Sequence, residues 1–184
     1  MAKHTIEVIN KLLTHGLLAP SSFNLQHWRF HVVENPEKVS HLFSECDWKT
    51  TSVQAPPESA IIISGDYSAW ENAPEYAKHL DPDFQALSLK KATAVYGTNH
   101  RTQLDEAARS CGFFLTNIIF SALEDNIGVS VASPNNLAAI ISELNLNEAT
   151  VPLCCVYLYS DATAELSMPL NPSHLDTMLA NDQW

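Results

Sequence analysis

The chain has 184 residues, 46% hydrophobic and 17% charged, an ordinary composition for one folded domain that buries roughly 70% of its unfolded surface. Ten Lys and Arg stand against 21 Asp and Glu, and Ser110 to Trp184 carries no Lys or Arg but eight acids: Glu124, Asp125, Glu143, Glu148, Asp161, Glu165, Asp176 and Asp182. DNA, RNA and anionic membrane surfaces are therefore poor partners, because neutralising phosphates needs a basic patch.

The N-terminus, Met-Ala-Lys-His-Thr-Ile-Glu, has no apolar core after its basic residue, so no signal peptide is expected and a soluble cytoplasmic protein is the default. Thr5 to Leu18 places Ile6, Ile9, Leu12, Leu13 and Leu17 at helical spacing, with Thr5 as a possible N-cap and Pro20 as the stop. Trp28 to Val33 reads as a strand, and Asn35-Pro36 breaks it before a helix from Pro36 to Glu45. Ala55-Pro56-Pro57 is a loop, and Ala60 to Ile63 is a strand buried on both faces. Residues 66–100, with Pro74 and Pro82 and scattered aromatics, read as a mobile helical excursion over the core of one domain spanning 1–184. From Leu104 to Asn126, Leu104, Ala108, Cys111, Leu115, Ile118 and Ala122 form one apolar stripe, while Phe113, Phe114, Ile119 and Phe120 make most of the remaining surface apolar too. Such a helix either runs through the middle of the domain or packs its second face on another subunit, and its apolar run is too short and too interrupted to span a bilayer. Ile127 to Val131 is a short strand, Asn135 to Leu144 a helix, Val151 to Tyr159 a long strand and Asn171 to Leu179 a short terminal helix. The alternation indicates an α+β layer architecture.

Several site chemistries are excluded by spacing. The five glycines lie at least 15 residues apart, whereas dinucleotide fingerprints and phosphate loops need them one to five apart, so any phosphorylated cofactor must be held by side chains and scattered amides. Cys46, Cys111, Cys154 and Cys155 contain no CxxC pair. They read as buried reduced thiols, with Cys154 and Cys155 on opposite faces of their strand. His27 and His31 would share a strand face, but two ligands without a third define no metal site.

One segment concentrates uncharged polar chemistry. In Ala19-Pro20-Ser21-Ser22-Phe23-Asn24-Leu25-Gln26-His27-Trp28-Arg29-Phe30, a helix ends at proline, and two hydroxyls and two amides follow within six residues, before an aromatic strand. Such a turn can present several donors and acceptors to the polar edge of a flat heterocycle. Capping of the turn by Ser21 and Asn24 is the alternative, and it needs one or two of these residues rather than the whole set.

The segment resembles the APSxxNxQPW pattern of nitroreductase-like flavoproteins, matched by Ala19, Pro20, Ser21, Asn24, Gln26 and Trp28, with His27 in place of the proline. The apolar helix with Asn117, then Gly128 and a short strand, resembles the family's central helix, and Pro152 to Tyr159 resembles its late core strand. The resemblance implies an α+β nitroreductase-like fold with a central mixed, mainly antiparallel sheet packed between helices, in an intertwined homodimer with FMN at the interface. It implies cofactor contacts from Pro20, Ser21, Ser22, Asn24 and Gln26, with the chemistry left to the flavin and no protein acid or base required. It also implies NADH or NADPH as hydride donor and a small-molecule acceptor, a nitroaromatic, quinone or relative, reduced by a ping-pong mechanism. The pattern is departed from where the family holds the phosphate, since only Lys3 and His4 stand before the first helix and no Lys or Arg follows Arg109; separately, Leu158-Tyr159-Ser160 replaces the Gly-Tyr-Pro that closes the late strand. Arg29, Arg101, Arg109 and Lys3 are the substitutes by position. A degenerate member that keeps the fold and the dimer, binds FMN weakly or not at all, and acts as a non-catalytic flavin- or ligand-binding or sequestering protein is the alternative reading.

Overall fold

The computed structural model describes residues 6–47, 56–78 and 81–160. In chain order these form α1 (Ile6–Gly16), β1 (Trp28–Val33), α2 (Pro36–Ser44), β2 (Cys46–Asp47), β3 (Ser59–Asp66), α3 (Ala73–Tyr76), α4 (Pro82–Tyr96), α5 (His100–Glu124), β4 (Gly128–Pro134), α6 (Leu137–Leu144) and β5 (Thr150–Tyr159). Thr5 and the expected helix from Asn171 to Leu179 lie outside the described residues.

Local chemistry accounts for the boundaries. In α1, Ile9, Leu12, Leu13 and Gly16 face inward at the spacing of one helical stripe. Pro36 opens α2 where its missing N–H costs nothing, and the Asn35 side chain accepts from the N–H groups of Glu37 and Lys38. Asn136 caps α6 in the same way through the N–H of Ala139. All eight residues of β3 are buried, so the expected two-faced strand extends well beyond Ala60–Ile63. The two-residue strand β2 carries no periodic signal in the sequence and exists because Cys46 and Asp47 pair with Pro134 and Ser133.

The five strands run in the order β1-β3-β5-β4-β2, and every pairing among the described residues is antiparallel. Alternation along the central strands splits the interior into two layers. Ile61, Ile63, Val156, Leu158 and Val129 face α1 and α5, while Ala60, Ile62, Cys155, Tyr157 and Tyr159 face α2 and α6. Cys154 packs against the first layer and Cys155 belongs to the second, so the adjacent cysteines do diverge. No disulfide joins the four cysteines; burial pushes the thiols of Cys111 and Cys154 up to about 12.

The register shifts where β3 meets the start of β5. Ile63 pairs with Cys154 but Ser64 pairs with Pro152, which leaves Leu153 as an extra residue. Proline cannot donate to a ladder and is tolerated at such a bulge. Gly65 lies alongside it, and a Cβ there would come within 3.0 Å of Leu153 and 3.1 Å of Ala107 on α5. That close approach seats α5 against the end of β3.

The inward face of α5 differs from the expected stripe. Glu106, Ala107, Ser110, Cys111, Phe114, Ile118, Ser121 and Ala122 are buried, whereas Ala108 is exposed and Leu104 and Leu115 are half-buried. Phe114 sets this rotation. Its ring stacks on Trp28 at 5.3 Å and on Phe30 at 5.6 Å, and it fills the space that Gly16 leaves open on α1. Phe113, Phe120 and Leu123 are consequently exposed on the other side, with Phe120 at 62%. No helix among the described residues is long and apolar enough to cross a membrane.

Within residues 66–100, after Asp66 ends β3, the described chain is helical over 69–76 and 82–96, with turns between. Ala69, Ala73, Ala92 and Tyr96 bury themselves around Leu25, so this excursion is attached to the loop between α1 and β1.

Candidate functional site

The loop from Pro20 to His27 leaves α1 through a tightening turn, in which Leu17, Leu18 and Ala19 donate back to Leu13, His15 and Gly16. Pro20 has no N–H to continue the series. Phe23, Asn24 and Gln26 then adopt φ of 52°, 55° and 48°. No glycine relieves these left-handed positions, and each costs on the order of 1–3 kcal/mol for a residue with a side chain, less for Asn. A backbone of this kind persists only when its surroundings hold it.

The holding contacts are visible. Ser21 Oγ accepts from the Gln26 N–H at 2.9 Å, and the Ser21 and Ser22 carbonyls accept from Asn24 and Leu25. Ser22 Oγ accepts from the Tyr96 hydroxyl at 2.8 Å. Arg29 reaches back from β1 to donate to the Gln26 carbonyl at 3.0 Å and the Trp28 carbonyl at 2.9 Å, and its other terminal nitrogen meets Asp66 at 2.7 Å. Leu25 is fully buried beneath the loop.

A buried polar group closes the arrangement from α5. Glu106, 6% exposed, accepts from the Ser22 N–H at 3.4 Å, from Ser110 Oγ at 3.1 Å and from Arg109 at 2.6 Å. Ser110 Oγ also lies 3.4 Å from His27 Nδ1. His27 is 1% exposed, and burial lowers its pKa below 6.5, against the opposing pull of Glu106 and Asp66. His27 therefore serves as a packed, neutral residue, edge-on to Tyr96.

The five residues expected from the sequence now divide. Pro20 is exposed and ends the turn. Ser21 Oγ accepts within the loop, from the Gln26 N–H, and Ser22 Oγ accepts from Tyr96 on α4. The side-chain amides of exposed Asn24 and half-buried Gln26 make no hydrogen bond among the described residues. Turn capping thus accounts for Ser21 and not for Asn24. Glu106, Ser110, Tyr96, Arg29 and Asp66 were not singled out by sequence reasoning as supports of this loop. The signal was present for Glu106 and Ser110, which share the buried face of α5, but the stripe drawn through Ala108 left both off it.

Two amides on a rigid turn fit the edge of a flavin ring, which offers both donors and acceptors. A flavin phosphate would meet a different setting. Arg29, Arg101 and Arg109 are paired with Asp66, Asp105 and Glu106, respectively, and Lys3 lies outside the described residues. Asn117, on the face of α5 towards α1, donates to the His15 carbonyl and so secures the helix end from which the loop departs.

A five-stranded antiparallel sheet between two helical layers, with a strained polar loop leading into its edge strand, defines an α+β protein whose candidate site lies beside that loop. The chain belongs to the Nitroreductase family, whose family model matches residues 5–158. It is similar to protein DrgA of Synechocystis sp., 27% identical over 119 residues, which are 64% of this chain and 56% of that protein. It is also similar to YodC of Bacillus subtilis, a candidate NAD(P)H nitroreductase, 29% identical over 107 residues covering 58% and 52% of the two chains. The chain thus spans little more than half the length of these curated relatives. Among solved structures, a candidate nitroreductase from Exiguobacterium sibiricum in complex with FMN superposes with a TM-score of 0.81 at 19% identity, covering 98% of this chain and 89% of the other. A nitroreductase family protein from Streptococcus pneumoniae gives 0.81 at 17% identity, covering 98% and 91%.

Proposed function

We propose that the chain is an FMN-dependent NAD(P)H oxidoreductase that reduces nitroaromatics, quinones or related small acceptors as a homodimer. The observation that carries this reading is the pair of uncommitted amides, Asn24 and Gln26, on a backbone that the rest of the molecule holds in place. Bound flavin would supply the redox chemistry, accepting a hydride and passing electrons onward. The chain's own part is to orient the ring by these amides and to keep the loop rigid through Ser21, Tyr96, Arg29 and Glu106. The exposed stripe of Phe113, Phe120 and Leu123 on α5 supports the dimer, since a helix apolar on two sides needs a second covering surface. Titration of FMN followed by NAD(P)H consumption with a nitroaromatic tests the reading; FMN-dependent turnover supports it, and absence of binding at excess FMN overturns it.

The second reading, a non-catalytic dimer of this fold that binds FMN weakly or not at all and serves as a flavin- or ligand-binding protein, is favoured by the arginines, each already held by a carboxylate. NAD(P)H oxidation that requires FMN, and that needs a higher FMN concentration in Asn24→Ala, rules it out.

A further inference from the structure

The loop that carries Asn24 and Gln26 is energetically unfavourable by itself, and what holds it comes from three different elements. Tyr96 on α4 and Arg29 on β1 each touch one part of it. Glu106 differs because two paths converge on its carboxylate. One oxygen accepts directly from the Ser22 N–H and from Ser110 Oγ, and Ser110 in turn reaches His27 at the far end of the loop. Its other oxygen is held by Arg109. Both ends of the segment Ser22 to His27 are therefore tied to one buried acceptor on the long helix.

We propose that Glu106 is the positioning residue of the site: its buried carboxylate fixes both ends of the left-handed loop and thereby pre-sets Asn24 and Gln26 for the ligand. This rests on the flavin reading for the identity of the ligand, but not for the loop itself. A carboxylate already desolvated and hydrogen-bonded before ligand arrives removes ordering that binding would otherwise have to supply. Glu106 does not touch the ligand in this account, and acts through Ser22 and Ser110.

The test compares wild type with Glu106→Met, which keeps volume without the oxygens, and Glu106→Gln, which keeps an oxygen to accept from Ser22. Asn136→Ala, which removes the α6 cap far from the loop, serves as a control for general destabilisation. Amide hydrogen exchange at Asn24, Leu25 and Gln26 is measured on flavin-free protein, and FMN affinity by quenching of flavin fluorescence. Glu106→Met is expected to speed exchange and raise the FMN dissociation constant, each by about tenfold or more, with Glu106→Gln within about threefold of wild type. Asn136→Ala should lower the thermal midpoint and move neither readout. If Glu106→Met does not fold, Ser110→Ala, which cuts the branch to His27, carries the test through exchange at Gln26. Unchanged exchange in the folded variant, or an Asn136→Ala variant that reproduces the changes, overturns the proposal. Wild-type protein that takes up no FMN overturns the flavin reading alone, and exchange then decides the role of Glu106.

Discussion

Asn24 and Gln26 carry polar groups that fold stability does not use, and this sets the expected effect of removing them. Asn24→Ala and Gln26→Ala should each weaken FMN binding by about tenfold, the worth of one hydrogen bond made in a partly desolvated site. Thermal unfolding of flavin-free Gln26→Ala should stay close to wild type, because no hydrogen bond of the fold is lost, whereas Asn24→Ala should unfold slightly earlier, since alanine tolerates a φ of 55° less well than asparagine. Ser21→Ala is the converse case: it orphans the Gln26 N–H and should cost about 1 kcal/mol in a denaturant titration even without ligand. His27 gives a pH signature. Its folded pKa lies below the unfolded 6.5, so between the two values the unfolded chain binds more protons. Its contribution is constant above that window and becomes destabilising as pH falls from about 6.5 through the folded value. The thermal midpoint should fall over this range, and less steeply in His27→Gln, which stays neutral.

At the scale of elements, Gly16 and Phe114 define how α1 meets α5. A Cβ at Gly16 would stand 2.7 Å from one ring atom of Phe114, and the ring has Trp28 and Phe30 stacked against it. Gly16→Ala should therefore destabilise by about 1–3 kcal/mol in chemical denaturation, as an overpacked core does. Much of this level is legible in the sequence. Strand β1 is bounded by the same residues in pattern and in structure, and the proline and Asn35 signals place α2 to within one residue. Two features are not legible, each for a physical reason. β2 is created by pairing with β4 across the sheet, which no local pattern encodes. The face of α5 is ambiguous because apolar residues surround it, so the stripe that packs inward is chosen by Phe114 and Gly16 rather than by periodicity. The site shows the same division. The loop's polar residues stand out in the sequence, but which of them are spent internally follows from left-handed backbone at Phe23, Asn24 and Gln26, where a sequence without glycine gives no warning.

At the scale of the whole molecule, the acidic balance and the exposed α5 stripe bear on assembly. Phe113 and Phe120 lie seven residues apart, two turns along one side of the helix. Phe120→Glu should convert a dimer to monomer in light scattering coupled to size exclusion, leaving the helical circular dichroism signal in place, since the side chain is largely exposed in the single chain. If the flavin sits at that interface, as the family resemblance implies, the monomer should also lose FMN. The net charge of −11 is the background against which the arginine pairs matter. Because Arg29, Arg101 and Arg109 are engaged with carboxylates, an FMN phosphate would draw less support from them than three unpaired guanidinium groups would give.

The central claim is that this chain holds a flavin by the amides of the Pro20–His27 loop. The visible absorbance spectrum after incubation with excess FMN and removal of the unbound fraction tests it most directly, with wild type beside the Asn24→Ala, Gln26→Ala double variant. A flavin band retained by wild type, bleached by NAD(P)H and lost in the double variant is the predicted result. Colourless wild-type protein, or a double variant that keeps the full band, contradicts it.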